Sequence, residues 1–361
     1  MKHLSILTAI ILAAAALMAS FQNCYACTGI TLKAKDGSTV VARTIEWAAS
    51  DNDCRWVVVP RGHSWKSFIP GGGTGRSFTN DYGYVGVSVV QDELMMEGMN
   101  EKGLSAGLFY FPDYGKYEEY SEANYETNIS DFQLVSYILG RCANVDEVKA
   151  EIARVHIHGF DPRSSTVHWR FAEPSGRQIV LEIIDGKCIF YENSLGVLTN
   201  SPSFDWQLTN LNNYVNLLPG RTEPHTLGNM SLSSFGGGSA MIGLPGDFTP
   251  PSRFVRAAFF QSTAPQKSDA EGSVFTAFHI LGSMEIPIGA QFPVDETPAD
   301  IPSATQCTCV TDMSGLKFYY RSMYDGGIRC IDLKEIDFKK IGLKSEPLVP
   351  SKKEFVHHIR F

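Results

Sequence analysis

The stretch CTGITLKAKDGSTVVARTIEW, residues 27–47, decides the fold class. Apolar and polar residues alternate over 28–33 and again over 38–47, and Asp36-Gly37 stands between the two runs. Two alternating runs joined by Asp-Gly are typical of a β-hairpin. The sequence therefore predicts an antiparallel pair of strands, with Cys27 at the start of the first.

Segments further along the chain predict strands and helices in successive groups. Strand patterns occur at 55–60, 82–90, 104–111, 166–172, 178–184, 187–192, 305–311 and 316–324. Helical periodicity occurs at 131–142, 145–155, 254–261 and 270–284. Ser130 with Gln133, and Asn144 with Glu147, resemble capping boxes at the first two helix starts. This order predicts sheet layers covered by helices, and because no repeat or linker is visible we expect one domain over 27–361.

Residues 1–26 have the features of an export signal. A short polar start at Lys2 and His3 precedes a nearly unbroken apolar run over 4–18, and small residues lie just before Cys27. Cleavage between Ala26 and Cys27 would make Cys27 the first residue of the mature chain. The apolar run is shorter than the roughly 20 residues of a membrane span. We therefore expect a periplasmic or secreted protein without a transmembrane anchor; the alternative is a surface lipoprotein acylated at Cys27.

Composition excludes several classes of protein. The 361 residues contain 31 Lys and Arg against 39 Asp and Glu, a net charge of −8, which disfavours a partner made of nucleic acid. The 32 glycines and 18 prolines, with 11% aromatic residues, indicate a globular chain rich in strands and turns. Seven of the eight cysteines follow residue 26, and an odd number leaves at least one thiol unpaired.

An amino-terminal cysteine combines a nucleophile and a base in one residue. The thiolate is the attacking species, and an unperturbed thiol is only slightly ionised at neutral pH. A free α-amino group has a reference pKa of about 8, so it can accept the thiol proton and later deliver it to a leaving amine. Removal of residues 1–26 would then be an activation step as well as an export step.

Four motifs carry a resemblance to a known family. They are CTG with RTIE at 27–29 and 43–46, GMNEKGL at 98–104, LTNSP at 198–202, and GLPGDFTPPSRF at 243–254. In this order and spacing they resemble the choloylglycine hydrolases, the bile salt hydrolases and penicillin V acylases of the N-terminal nucleophile hydrolase superfamily. The resemblance spans nearly the whole mature chain. It implies an α+β fold, a four-layer αββα sandwich of two antiparallel sheets between helix layers.

The resemblance also implies the active-site residues. The implied catalytic set is Cys27, Arg43, Glu46, Tyr110, Asn200 and Arg253. Cys27 would attack the amide carbonyl, while the Asn200 side chain and the backbone N–H of Tyr110 would stabilise the oxyanion. The two arginines would favour the thiolate. Glu46 departs from the family, which commonly has aspartate there, and it would accept hydrogen bonds from the terminal amine.

Apolar residues near glycine-rich runs suggest a substrate pocket. The candidate substrate-binding residues are Trp47, Trp65, Phe68, Met95 and Met96. Methionine and aromatic side chains form adaptable apolar walls, but simple packing under long loops is equally compatible with these residues. The runs at 71–73 and 236–238 are interpreted as flexible loops. His156 and His158 lack further ligands in a matching pattern, which favours exposed strand histidines over a metal site.

The resemblance implies a hydrolase for a small-molecule amide, with no metal or organic cofactor. Conjugated bile salts, with glycine or taurine as the leaving amine, are the preferred substrates. Penicillin V is the second candidate, and the amide of acyl-homoserine lactones is the third. Homotetramers are common in the family, and a segment like 210–246 would reach a neighbouring subunit.

Overall fold

A five-stranded antiparallel sheet contains both strands of the amino-terminal hairpin. The computed structural model describes residues 26–48, 50–71, 73–161, 165–292, 295, 297–298, 301–353, 355–356 and 358–360. In spatial order, the sheet consists of β1 (Cys27–Lys33), β2 (Thr39–Glu46), β16 (Thr305–Asp312), β17 (Lys317–Ser322) and β18 (Arg329–Asp332). The hairpin is therefore confirmed, and β2 lies between β1 and β16.

The second sheet has eight strands and is also antiparallel throughout. In spatial order, they are β13 (Lys187–Glu192), β12 (Gln178–Ile184), β11 (Val167–Ala172), β8 (Ser105–Tyr110), β7 (Met95–Asn100), β6 (Tyr84–Ser88), β3 (Arg55–Val59) and β19 (Lys344–Pro347). Within the described residues, three further strand pairs lie outside the large sheets: β4 (Ser64–Ile69) with β5 (Gly73–Thr79), β14 (His225–Leu227) with β15 (Met230–Leu232), and β9 (Asn128–Ser130) with β10 (His156–His158).

Helices cover the outer face of each large sheet. The helices are α1 (Leu134–Arg141), α2 (Val145–Ile152), α3 (Phe204–Asn210), α4 (Pro250–Thr263) and α5 (Ala270–Gly282). The pair α1 and α2 packs on the eight-stranded sheet, and α4 and α5 pack on the five-stranded sheet. The layers follow the order helix, sheet, sheet, helix, which is the αββα sandwich expected from the sequence.

Strand β2 shows how the layers fix the direction of side chains. All eight of its residues are buried, because one face of the strand meets the other sheet and the opposite face meets helices. Val41 and Ile45 belong to the core cluster of the inner face, whereas Val40 and Ala42 pack with α4 and α5. Side chains alternate along a strand, so Arg43 is directed between the sheets and Glu46 toward the helix layer.

Several predicted details are wrong. A 3₁₀ turn at Asp131–Gln133 delays the first helix to Leu134, and Ser130 makes no capping hydrogen bond. The second cap is confirmed, since Asn144 Oδ1 accepts the N–H of Glu147 at 2.9 Å. Gly73, the last glycine of a run that was expected to be a loop, is instead the first residue of β5, where a Cβ would lie 2.8 Å from the Ile69 side chain. The predicted export signal over 1–26 lies outside the described residues, except for Ala26.

Candidate active site

Cys27 and Arg43 meet on the inner face of the amino-terminal hairpin. In the β1–β2 ladder, Gly29 is paired with Arg43 and Cys27 with Ile45, so Cys27 and Arg43 are diagonal neighbours on one face. Arg43 Nη2 donates to Cys27 Sγ at 2.7 Å, and both residues are almost completely buried. A fixed cation therefore touches the candidate nucleophile.

Main-chain carbonyls hold the guanidinium of Arg43 in place. Its Nη1 donates to the carbonyl of Met96 at 3.1 Å and to that of Leu108, while Nε donates to Thr44 O at 3.1 Å. The Phe109 ring lies 4.0 Å from the guanidinium carbon. Strands β7 and β8 supply the first two carbonyls, so the second sheet positions a residue of the first.

Asn200 reaches Cys27 through a short antiparallel bridge on the free edge of β1. Gly29 and Leu198 exchange two backbone hydrogen bonds of 2.7 and 3.1 Å. An antiparallel register centred on this pair sets Asn200 opposite Cys27. Asn200 Oδ1 accepts the Cys27 N–H at 2.8 Å, and Nδ2 donates to Tyr110 O at 2.8 Å. One amide thus links the candidate nucleophile to the end of β8.

Arg253 approaches the same atoms from the first turn of α4. Its Nη1 donates to Cys27 O at 2.5 Å and to Thr28 Oγ1 at 2.9 Å, and its Nη2 donates to Asn200 Oδ1 at 2.8 Å. Burial lowers the pKa of Arg253 to about 10, so the guanidinium remains charged at neutral pH. Arg253 therefore orients both the backbone of Cys27 and the side chain of Asn200.

Glu46 lies on the helix-facing side of β2. Its Oε1 accepts the hydroxyl of Thr305 at 3.2 Å, and no described residue bonds to Oε2. Burial raises the pKa of the Glu46 carboxyl to about 7, against the opposing charge of Arg253. The Cys27 N–H is bonded to Asn200 and not to Glu46, so the expected contact between Glu46 and the terminal amine stays a prediction.

An aromatic row leads away from this centre. It consists of Trp47, Tyr110, Phe132, Phe160 and Phe68, whose consecutive ring centroids are 6.1, 6.2, 6.1 and 5.4 Å apart. Tyr110 connects the row to the site, because its carbonyl is bonded to Asn200. Since Phe111 N donates to Thr166 O of the neighbouring chain segment, strand alternation directs the Tyr110 N–H to the opposite edge of β8.

Only some of the predicted substrate-binding side chains lie in this aromatic row. Trp47 and Phe68 belong to it. Trp65 instead donates from Nε1 to Tyr84 Oη at 2.8 Å, and Met95 is fully buried with its sulfur 3.7 Å from Ser88 Oγ. Met96 contacts the site through its backbone carbonyl, which accepts a hydrogen bond from Arg43 Nη1. Substrate binding by these side chains stays a prediction.

Asp131 positions two aromatic residues that the sequence did not single out. Its Oδ1 accepts the N–H groups of Phe132 and Phe160, both at 2.8 Å. Burial raises the pKa of this carboxyl to about 7. A Ser-Asp pair before a helix resembles an ordinary cap, so no sequence signal distinguished Asp131.

His168 and Glu182 support the segment that carries Asn200. The imidazole Nε2 lies 3.1 Å from Thr199 O, Nδ1 lies 3.1 Å from Glu182 Oε1, and the ring stacks on Phe111 at 4.6 Å. Glu182 also accepts the N–H of Phe204 at 2.9 Å. A histidine and a glutamate in two adjacent strands carry no motif, which explains why they were missed.

The described ranges contain no cluster of three or more His, Cys, Asp or Glu side chains arranged to hold a metal ion. Among the described helices, none has the length and apolar character needed to cross a bilayer. His156 Nδ1 lies 3.0 Å from Glu118, and His158 Nδ1 lies 3.0 Å from Gly159 O, so each has a local partner. Both lie on a strand as expected, but the expectation that they are exposed is wrong, because His158 is buried and His156 is only partly exposed.

The arrangement is suited to attack on a carbonyl carbon. Burial raises the pKa of the Cys27 thiol, and the Arg43 charge acts in the opposite direction. Asn200 has two N–H groups on Nδ2, one of which donates to Tyr110 O, and an amide donor of this kind can stabilise an oxyanion. A thiol, a cation and an amide donor within one buried cluster match the requirements of acyl transfer through a thioester.

Comparisons with known proteins identify the family to which the sequence and the fold are similar. The family described as linear amide C–N hydrolases, choloylglycine hydrolase family, matches residues 27–346. A bile salt hydrolase/transferase of Clostridium perfringens is 32% identical over 86% of this chain and 93% of its own length. A penicillin V acylase of Pectobacterium atrosepticum is 27% identical over 84% of this chain and 79% of its own. The solved structure of a mutant conjugated bile acid hydrolase from Clostridium perfringens superposes with a TM-score of 0.79 at 29% identity, covering 92% of this chain and all of that one.

Proposed function

The chain belongs to the choloylglycine hydrolase family of linear amide C–N hydrolases, and on that premise we propose that Cys27 is the nucleophile. The observation that carries the proposal is the 2.7 Å contact between Arg43 Nη2 and Cys27 Sγ. A guanidinium at this distance stabilises the thiolate of a cysteine that is almost completely buried.

The proposed reaction has two halves. The Cys27 amine accepts the thiol proton, the sulfur attacks the amide carbonyl, and the oxyanion is stabilised by Asn200 Nδ2 and the Tyr110 N–H. The C–N bond then breaks, the leaving amine takes the proton, and a thioester remains. Water attacks the thioester with the Cys27 amine as base, which releases the carboxylic acid and regenerates the thiol.

This mechanism requires a free amine at Cys27, so we also propose that residues 1–26 are removed and that the enzyme is periplasmic or secreted. Mass spectrometry of the mature amino terminus tests the step directly. We expect a chain that begins with unmodified Cys27. A diacylglyceryl adduct on Cys27 would instead support the non-catalytic lipoprotein, because acylation occupies the sulfur.

Conjugated bile salts are the proposed substrates. The 32% identity to a bile salt hydrolase/transferase supports them, while the aromatic row beside Tyr110 supports the second candidate, penicillin V, with its aromatic acyl group. Hydrolysis of glycocholate, taurocholate, penicillin V and an acyl-homoserine lactone should be compared at equal enzyme concentration. The highest kcat/KM on a bile salt would support the proposal. A clearly higher kcat/KM on penicillin V would contradict it and would make penicillin V the substrate.

Replacement of the sulfur tests the nucleophile itself. Cys27→Ser should retain the fold and lose nearly all turnover, because a hydroxyl is a much weaker nucleophile with so weak a base. Cys188→Ser is the matched control, since Cys188 is an exposed thiol on β13. Activity of the processed Cys27→Ser variant close to that of the unmodified chain would exclude Cys27 as nucleophile.

We further propose a homotetramer in which the segment 210–246 contacts a neighbouring subunit. Large apolar side chains on this segment are strongly exposed, among them Val215 at 86%, Phe235 at 104% and Ile242 at 78%. Exposed apolar clusters of this kind mark protein–protein contacts. Light scattering should give the mass of four chains, and Phe235→Asp should lower it. A monomeric unmodified chain would contradict the assembly.

A further inference from the structure

Two more charged side chains lie beside Arg43 between the sheets: Glu97 on β7 and Arg170 on β11. Arg170 Nη2 lies 2.9 Å from Glu97 Oε1, and Arg43 Nη1 lies 3.9 Å from Glu97 Oε2. All three side chains are at most 1% exposed. The pair Glu97 and Arg170 has no part in the reaction proposed above.

Glu97 is hydrogen-bonded to Arg170 but not to Arg43. Glu97 Oε1 accepts from Arg170 and from Ser105 Oγ at 3.2 Å, whereas no described residue bonds to Glu97 Oε2. Arg43 directs its own donors to main-chain carbonyls and to the Cys27 sulfur. The carboxylate is therefore bonded to Arg170, and Arg43 meets it only at a longer distance.

Glycines at the paired strand positions leave the space that these ions occupy. Gly107 is paired with Glu97 across β7 and β8, and a Cβ at Gly107 would lie 1.9 Å from Glu97 Oε2. A Cβ at Gly29 would lie 3.0 Å from Arg170 Nη1. The strands thus accommodate the carboxylate and the second guanidinium at defined positions next to β1.

Charge balance explains why both ions are needed. Burying two guanidinium groups without an anion would cost a large free energy, because their charges would be uncompensated. A single carboxylate beside Arg43 alone would neutralise the cation that contacts the sulfur. With Arg170 present, two positive charges and one negative charge leave a net positive charge next to Cys27.

We propose that Arg170 is a positioning residue: by binding the carboxylate of Glu97, it keeps the charge of Arg43 available to the Cys27 sulfur. The proposal rests on the proposed function only in treating Cys27 as the reacting group. The charged and titratable groups around Cys27 and Arg43 are Glu46, Glu97, Arg170, Arg253, Cys307 and Cys309.

Titration of the Cys27 thiol tests the proposal without any substrate. Thiolate ultraviolet absorbance is followed against pH in the full mature chain, and the same variant carrying Cys27→Ser is subtracted so that only Cys27 contributes. Arg170→Met should raise the midpoint by about one pH unit or more, because Glu97 then pairs with Arg43. Glu97→Gln should lower the midpoint, since the opposing anion is gone.

The double variant separates positioning from a simple effect of charge. If Arg170 acts through Glu97, Arg170→Met has no effect once Glu97 is glutamine, and the double variant titrates like Glu97→Gln. An equal shift in both backgrounds, or no shift in either, would overturn the proposal. If Arg170→Met does not fold, Arg170→Gln takes its place. A neutral amide binds the Glu97 carboxylate more weakly than a guanidinium does, so the midpoint should rise by a smaller amount, and this rise should also be absent once Glu97 is glutamine.

A failure of the proposed function would look different. It would abolish product formation in the unmodified chain, but it would leave the thiol titration measurable.

Discussion

Asn200 Oδ1 accepts the backbone N–H of Cys27 at 2.8 Å, across a separation of 173 residues in the chain. Asn200 therefore orients the nitrogen of the candidate nucleophile as well as offering an amide donor near the sulfur. The two roles use different atoms of one side chain, so substitutions can separate them.

Asn200→Ala should lower kcat by about 10² to 10³, the usual effect of removing one oxyanion donor. Asn200→Asp retains an oxygen acceptor for Cys27 but loses the Nδ2 donor, so its kcat should fall as well while the fold remains. Steady-state kinetics with melting curves measure both effects. If only KM rises in these variants, Asn200 binds substrate and does not stabilise the transition state.

Gly29→Ala should damage both stability and activity. A Cβ at this position would lie 3.0 Å from Arg170 Nη1, 3.1 Å from Phe109 Cζ and 3.3 Å from Leu198 O. Overpacking of this kind costs about 1–3 kcal/mol, and displacement of Leu198 would move Asn200 away from Cys27. Gly246→Ala is the control, because nothing lies within 4 Å of a Cβ there. Equal free energies of unfolding for Gly29→Ala and Gly246→Ala, measured with urea, would contradict the prediction.

Glu46 should make stability depend on pH. Because burial raises the pKa of its carboxyl from 4.5 to about 7, the native state binds this proton more tightly than the unfolded chain. The contribution of Glu46 to the free energy of unfolding is complete below its unfolded pKa and is lost as the pH rises through about 7. The loss amounts to roughly 3 kcal/mol.

In Glu46→Gln, the loss of stability that accompanies ionisation of Glu46 should be absent. Urea unfolding at about pH 5 and about pH 8 should therefore differ less for Glu46→Gln than for the unmodified chain. Glu346→Gln, at an exposed position on β19, is the control and should behave like the unmodified chain. An identical pH dependence in Glu46→Gln would show that Glu46 is not the group responsible.

Tyr110→Asn should alter the preference between bile salts and penicillin V. The Tyr110 ring lies between Trp47 and Phe132, at centroid distances of 6.1 and 6.2 Å, while its backbone serves the site. Loss of one ring contact changes the ratio of kcat/KM values by about one to two orders of magnitude. Phe259→Asn is the control, since the Phe259 ring contacts Phe260 on α4 outside the aromatic row, and it should leave the ratio unchanged. Equal losses on both substrates after Tyr110→Asn, with a lower melting temperature, would make Tyr110 a structural residue.

Much of the fold followed from local patterns. The hairpin at 27–47, the neighbouring strands at 178–184 and 187–192 and the helix capped by Asn144 are encoded by residues close together in the chain, and the structure confirms all three. Strand β7 was missed because both of its faces are buried, which removes the alternation that identifies a strand. The first helix start was misplaced because Asp131 binds the N–H groups of Phe132 and Phe160.

The sequence by itself determined the hairpin and the family motifs that contain Cys27, Arg43, Asn200 and Arg253, because these depend on periodicity and on short runs of residues. The αββα class followed from the resemblance that those motifs carry. Only the tertiary structure decided which atoms meet: Asn200 on the Cys27 nitrogen, and Arg170 on Glu97 beside Arg43. The physical reason is that β7, β8 and β11 of one sheet pack over β1 and β2 of the other. Ion pairs and hydrogen bonds between layers depend on that packing, and no local pattern in the chain records it.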